Sequence, residues 1–182
     1  MQKYHLLCFK NIKYNLFNHK LITKTKIMSI ELGKPAPEFK LFNTEKKEVS
    51  LSDYKGKNVV ILFFPLAFTG VCTTELCSIR DNYNTYTSLN TEVIGISIDS
   101  LFVLEKFKKE ENYNFDLLSD FNKEASVAYD SLIEEFAFGM KGVSKRSAFV
   151  VDKNGILQYI EICEKVTDLP NFDAIKACLQ KL

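Results

Sequence analysis

The chain has no tryptophan, and its 182 residues include only two histidines, His5 and His19. Both lie within the first twenty residues, so the body has none. That absence argues against a Cys–His nucleophile pair, a His-ligated metal and a His general base in the body. Arginine is equally scarce: Arg80 and Arg146 stand alone in a chain that otherwise uses lysine. No apolar run reaches the roughly 20 residues that cross a bilayer, so no membrane span is expected. There is no internal repeat. Five cysteines are present: Cys8, Cys72, Cys77, Cys163 and Cys178. An odd number without a secretory signal reads as free thiols in a reducing, cytoplasmic setting rather than a disulfide framework. No paired-cysteine knuckle offers a metal site, and no cofactor is implied.

Charge is uneven. Residues 1–30 carry six lysines and no acid, while the remainder carries a net −5. A body of that sign is not expected to bind nucleic acid through bulk electrostatics. Residues 1–28 read as a basic appendage open to three explanations. A targeting peptide is one, although the stretch has no Arg and no Ser. A membrane-surface or partner-binding tail is the second. The third, and favoured, is an upstream start, because Met28-Ser29-Ile30 opens a chain that makes sense by itself. Residues 29–182 are expected to form one domain.

Within the body, Phe39–Phe42 and Glu48–Leu51 read as a hairpin around the turn 43–47. Val59–Phe64 is a continuous apolar run, suited to a strand covered on both faces. A helix over about Thr73–Leu89 places Leu76, Ile79, Tyr83, Tyr86 and Leu89 on one side. Strands are expected at Val93–Ile98 and Phe115–Leu118, and helices at Leu101–Glu111 and Asn122–Tyr129. Asp152-Lys153-Asn154-Gly155 is a hairpin signal between Ser147–Val151 and Leu157–Ile162. A last helix covers Pro170–Leu182, with Pro at its start. Alternating strands and helices followed by a hairpin indicate an α/β, thioredoxin-like fold: a central mixed sheet flanked by helices, with an N-terminal β-hairpin extension.

The most informative stretch is Pro65-Leu66-Ala67-Phe68-Thr69-Gly70-Val71-Cys72-Thr73-Thr74-Glu75. It puts Cys72 where a strand hands over to a helix, in the first helical turn. Unpaired N–H groups and the positive dipole end of a helix stabilise a thiolate there. The bland alternative is a small buried hydrophobe. Pro65-x-x-x-Thr69-x-x-Cys72 resembles the peroxiredoxin active-site motif. Lys145-Arg146-Ser147-Ala148-Phe149-Val150-Val151-Asp152 resembles the family's second segment, which contributes an arginine. The text around Cys72, and Phe115-Asp116-Leu117-Leu118-Ser119-Asp120, are most similar to the alkyl hydroperoxide reductase E type. The resemblance covers about residues 31–165.

The resemblance implies a thiol-dependent peroxidase acting on hydrogen peroxide and organic hydroperoxides. It assigns Cys72 as the peroxidatic cysteine, with Arg146 as a fixed cation beside it and Thr69 orienting the peroxide. Pro65 shields the thiolate from water, and N–H groups of Val71 and Cys72 add donors. Glu75 is expected to pair with an arginine. The alternatives are a surface Arg146, a capping Thr69 hydroxyl, a strand-ending Pro65, and an Arg80 that either supports Glu75 or faces solvent.

Cys77 follows Cys72 by five residues, the spacing of the resolving cysteine in the bacterioferritin-comigratory type. On an intact helix such side chains point ~140° apart, with Cα atoms roughly 8–9 Å apart. A disulfide needs about 7 Å or less, so a Cys72–Cys77 bond requires the first turn to unwind. The alternative is that Cys77 only packs beside Leu76, and an external thiol resolves Cys72. The implied partners are a peroxide, a thioredoxin- or glutaredoxin-like reductant and a second copy in a homodimer. Competing functions are a thioredoxin-like disulfide oxidoreductase and a redox sensor. The first wants Cys-x-x-Cys, which four intervening residues oppose.

Overall fold

The computed structural model describes residues 30–182. The expected appendage at 1–28 lies outside the described residues. A seven-stranded mixed sheet runs in the order β2-β1-β5-β4-β3-β8-β9. Its strands are β1 (Lys40–Asn43), β2 (Glu48–Ser50), β3 (Asn58–Phe63), β4 (Thr91–Ser97), β5 (Asp116–Ser119), β8 (Ser147–Val151) and β9 (Leu157–Ile162). The pairs β3–β4 and β4–β5 are parallel; β1–β2, β1–β5, β3–β8 and β8–β9 are antiparallel. The expected N-terminal hairpin is therefore continuous with the sheet through β5.

Every residue of β3 is buried, as its unbroken apolar sequence requires of a central strand with both faces covered. Alternation divides it. Val60 and Leu62 face one core, which they share with Cys72, Leu76 and Phe107. Val59, Ile61 and Phe63 face the other, with Ile96, Tyr129 and Phe149. The first core is roofed by helices α1 (Gly70–Asp81), α2 (Tyr83–Thr87), α3 (Leu101–Glu111) and α5 (Phe172–Leu179). The second is covered by α4 (Glu124–Ala128) and the N-terminal segment. At Gly95 of β4 a Cβ would stand 2.7 Å from Cδ2 of its cross-strand partner Leu117, so any side chain there would force Leu117 to shift.

Three expectations change. The single helix at 73–89 is two, starting earlier at Gly70 and interrupted at Asn82. Asn82 takes φ −108° and ψ 13°, and its side-chain amide donates to the Ser78 carbonyl at 2.9 Å. That bond offers the backbone a local alternative to continuing the helix. The last helix begins at Phe172 rather than Pro170, because Asn171 accepts from Ala174 N–H and caps it. A two-stranded ribbon, β6 (Leu132–Glu135) with β7 (Lys141–Ser144), was not expected. Its mixed residues Leu-Ile-Glu-Glu and Lys-Gly-Val-Ser carry little period-two signal. The Asp152–Gly155 hairpin forms as anticipated: Asp152 Oδ1 accepts from Asn154 and Ile156 N–H, and Gly155 sits at φ +83°.

The pairing register positions the site. Antiparallel β3–β8 pairs Phe63 with Ser147. The end of β3, which leads to Cys72, is thus beside the start of β8, which follows Arg146. Parallel β3–β4 pairs Phe63 with Ile96, bringing the end of β4 and Asp99 to the same edge.

The Phe149 ring lies between Phe63 (5.9 Å) and Tyr129 (5.0 Å) in edge-on geometry. Replacing it with alanine opens a cavity at the centre of the second core. Phe149→Ala is expected to lower unfolding stability by about 3–5 kcal/mol, read by equilibrium urea denaturation.

Candidate active site

Beyond β3 the chain passes through buried Pro65 and a short loop before α1. Asp99 fixes this loop. Its Oδ2 accepts from Ala67 N–H at 2.8 Å and from Ser97 Oγ at 2.9 Å. Its own carbonyl accepts from Ser119 Oγ at 2.6 Å. Phe68 adopts a left-handed φ of 61°, a conformation that costs a bulky residue of order 1 kcal/mol. Its ring packs 4.8 Å from that of Phe107, which holds the turn in place.

Thr69 occupies the N-cap of α1 without a capping side-chain bond. The hydroxyl instead donates back to the Leu66 carbonyl at 2.9 Å, so the capping reading of this side chain does not hold. It is exposed. The bond from Thr73 N–H to the Thr69 carbonyl opens the helix. The N–H groups of Gly70, Val71 and Cys72 therefore precede the helical ladder and make its end electropositive.

Cys72 is 1 % exposed, and its Sγ accepts from Arg146 Nη2 at 3.3 Å. Arg146 is itself 1 % exposed, which discards the surface reading of this residue. Its Nη1 forms an ion pair with Glu75 Oε2, and its Nε donates to the Val166 carbonyl at 3.0 Å. Every nitrogen of the guanidinium thus has an acceptor. Burial works against its charge, but Glu75 and Cys72 outweigh that, and the Arg146 pKa is raised. Glu75 is fully buried one turn after Cys72. Burial pushes its carboxyl up, to about 7, against the pull of Arg146. Its Oε1 has no hydrogen-bond partner among the described residues.

Arg80 does not reach Glu75. It pairs with Asp81 at 2.8 Å and donates to the Glu111 carbonyl at 2.6 Å. Cys77 is half-buried and faces away from Cys72, toward the end of α3. There Sγ donates to Glu111 Oε2 at 3.7 Å and lies 4.0 Å from the Tyr113 hydroxyl. Cys163 and Cys178 are also half-buried rather than in the core proper, and all four described cysteines are free thiols. Among the described residues no cluster could hold a metal, and no helix is long and apolar enough to cross a membrane.

Sequence reasoning named Pro65, Thr69, Cys72, Glu75 and Arg146; the structure joins Cys72, Glu75 and Arg146 by direct contacts, and Pro65 and Thr69 lie on the segment between β3 and α1 that leads to Cys72. Sequence reasoning missed Asp99 and the Val166 carbonyl. Asp99 acts through a backbone N–H 32 residues away, and a carbonyl acceptor has no side-chain signature.

The chain matches the AhpC/TSA family over residues 32–160. It is 39% identical to peroxiredoxin Bcp of Bacillus subtilis over 132 residues, which cover 71% of this chain and 83% of that protein. It is 38% identical to peroxiredoxin-2 of Bos taurus over 154 residues, 79% of this chain and 73% of that one. Among solved structures, the reduced 2-Cys peroxiredoxin of Plasmodium vivax superposes with a TM-score of 0.73 at 29% identity. That match covers 84% of this chain and 81% of the other. The chain belongs to the AhpC/TSA family of peroxiredoxins, and it is a thiol-dependent peroxidase.

Proposed function

We propose that Cys72 is the peroxidatic residue of this antioxidant enzyme, reducing hydrogen peroxide and organic hydroperoxides within a domain spanning residues 29–182. The supporting observation is the Arg146 Nη2 hydrogen bond to Cys72 Sγ at 3.3 Å, inside a buried site at a helix start. The cation and the helix end favour sulfur as thiolate. That thiolate attacks one peroxide oxygen, an S–O bond forms and the O–O bond breaks. The departing oxygen leaves with the electron pair and takes a proton to become water or an alcohol. Cys72 is left as a sulfenic acid.

Each neighbour has a task in this reading. Arg146 stabilises the thiolate and then the charge that grows on the departing oxygen. The Thr69 hydroxyl donates its hydrogen bond to the Leu66 carbonyl, which leaves its oxygen lone pairs to accept from the peroxide O–H. Buried Pro65 supplies a wall without an N–H. Glu75 orients Arg146 and does not touch substrate. The disulfide oxidoreductase reading lacks a Cys-x-x-Cys pair at Cys72.

For the return to thiol, Cys77 is the resolving candidate. Burial pushes Cys163 up, to about 11, with Glu161 and Glu75 adding to it and Arg146 opposing. Burial also raises Cys178. Both stay protonated at neutral pH and attack poorly. A thioredoxin- or glutaredoxin-like thiol completes the cycle in the cytoplasm. A homodimer is supported by exposed Phe42, Phe102 and Phe121 around a cavity of about 420 Å³.

Competition against a reporter peroxidase should give a second-order oxidation rate orders of magnitude above that of free cysteine. Cys72→Ser should abolish it, and Arg146→Ala should lower it about 10²–10³-fold. A native rate like that of free cysteine would overturn the assignment. Iodoacetamide labelling of Cys163 should be slow at pH 7. Labelling of Cys163 should climb as pH approaches about 11, where its thiolate appears. Sedimentation equilibrium should show twice the chain mass, and a monomer at micromolar concentration would reject the dimer.

A further inference from the structure

The two cysteines of α1 face opposite charges. Cys72 meets a guanidinium, whereas Cys77 donates to the Glu111 carboxylate at 3.7 Å. The charged and titratable groups around Cys77 come from both packed elements: Arg80 from α1 itself, Glu111 from the end of α3 and Tyr113 just beyond it. Tyr113 is raised above its ordinary value, by burial first and by Cys77 second, so its hydroxyl keeps its proton. A phenol 4.0 Å from Sγ that donates to sulfur leaves the S–H to point at Glu111.

The same region is pinned. Arg80 Nη1 donates to the Glu111 carbonyl at 2.6 Å, and Asn114 Nδ2 donates to the Arg80 carbonyl at 3.3 Å. The opposite end of α1 has no side-chain cap, begins with glycine and follows a left-handed Phe68. Unwinding therefore takes the Cys72 end and leaves Cys77 seated on Glu111.

We propose that Glu111 accepts the Cys77 proton as Cys77 attacks oxidised Cys72. The inference rests on the assignment of Cys77 as the resolving cysteine. In the step, the Cys77 S–H proton passes to Glu111 Oε2. The sulfur attacks Cys72 sulfur, the S–S bond forms and the S–O bond breaks. Hydroxide leaves with the bonding pair and takes a proton, so the sum is sulfenic acid plus thiol giving disulfide plus water. No further oxidant is needed.

The test separates oxidation from resolution. Sulfenic acid is formed with one equivalent of hydrogen peroxide at low pH, and the Cys72–Cys77 link is timed by quenched peptide mapping after a jump to each test pH. At pH 7 the native protein should form the link about a hundredfold faster than Glu111→Gln. The variant's rate should rise about tenfold per pH unit and close the hundredfold gap about two pH units higher, where bulk hydroxide takes the proton instead. Glu111→Asp should recover most of the neutral rate, which a merely misfolded variant would not allow. Equal rates and equal pH profiles for the native protein and Glu111→Gln would overturn the role of Glu111 while leaving Cys77 as resolver. Absence of any Cys72–Cys77 link in the native protein would overturn both.

Discussion

One buried guanidinium organises this molecule. Arg146 binds Cys72 on α1, Glu75 one turn further along, and the Val166 carbonyl beyond β9. It thereby ties the active-site helix to the edge of the sheet and to the C-terminal segment in a single node. Removing one partner from such a node leaves an uncompensated buried charge, at a cost of about 3–5 kcal/mol. An apolar side chain in its place would pack as well. In the proposed function the charge is retained because it stabilises the Cys72 thiolate in a pocket where water cannot.

The node needs the sheet to deliver its parts with accuracy. Antiparallel β3–β8 pairing places Arg146 opposite the end of β3, and parallel β3–β4 pairing brings Asp99 alongside. Asp99 then holds the loop by its Ala67 N–H, and α1 starts from a fixed point. A slip of one residue between β3 and β8 would turn every buried side chain of β8 to the opposite face and take Arg146 out of reach. The two apolar cores therefore set the register on which the chemistry depends.

This hierarchy explains what could be read from the sequence. β3, β4, α3 and the β8–β9 hairpin were legible because long apolar runs, amphipathic spacing and an Asp-x-x-Gly turn are local signals. Cys72 was legible because it sits at a strand-to-helix junction inside a segment that resembles the family motif, and Arg146 because its segment resembles the second family motif in a chain with only two arginines. The break at Asn82 was not, since Tyr83, Tyr86 and Leu89 keep helical spacing while a side-chain bond to Ser78 ends the helix. The β6–β7 ribbon was hidden because its strands are half-exposed and mixed in character. The surroundings of Cys77 were hidden because Glu111 and Tyr113 lie 34 and 36 residues further along the chain.

The same electrostatics gives the helix its order of events. Before peroxide arrives, Cys72 and Glu75 share one buried guanidinium, and in the proposed reaction the Cys72 thiolate is what holds the first turn of α1 to it. A sulfenic acid is neutral at the sulfur, so the proposed oxidation removes that hold while the Glu75 pair persists. Glu75 lies a turn deeper in the helix and keeps its middle docked. Arg80 and Glu111 keep its far end docked. The free energy lost on oxidation is thus concentrated in the one turn that has a glycine, no side-chain cap and a strained residue before it. Unwinding there and nowhere else is the motion that the proposed attack of Cys77 on Cys72 requires.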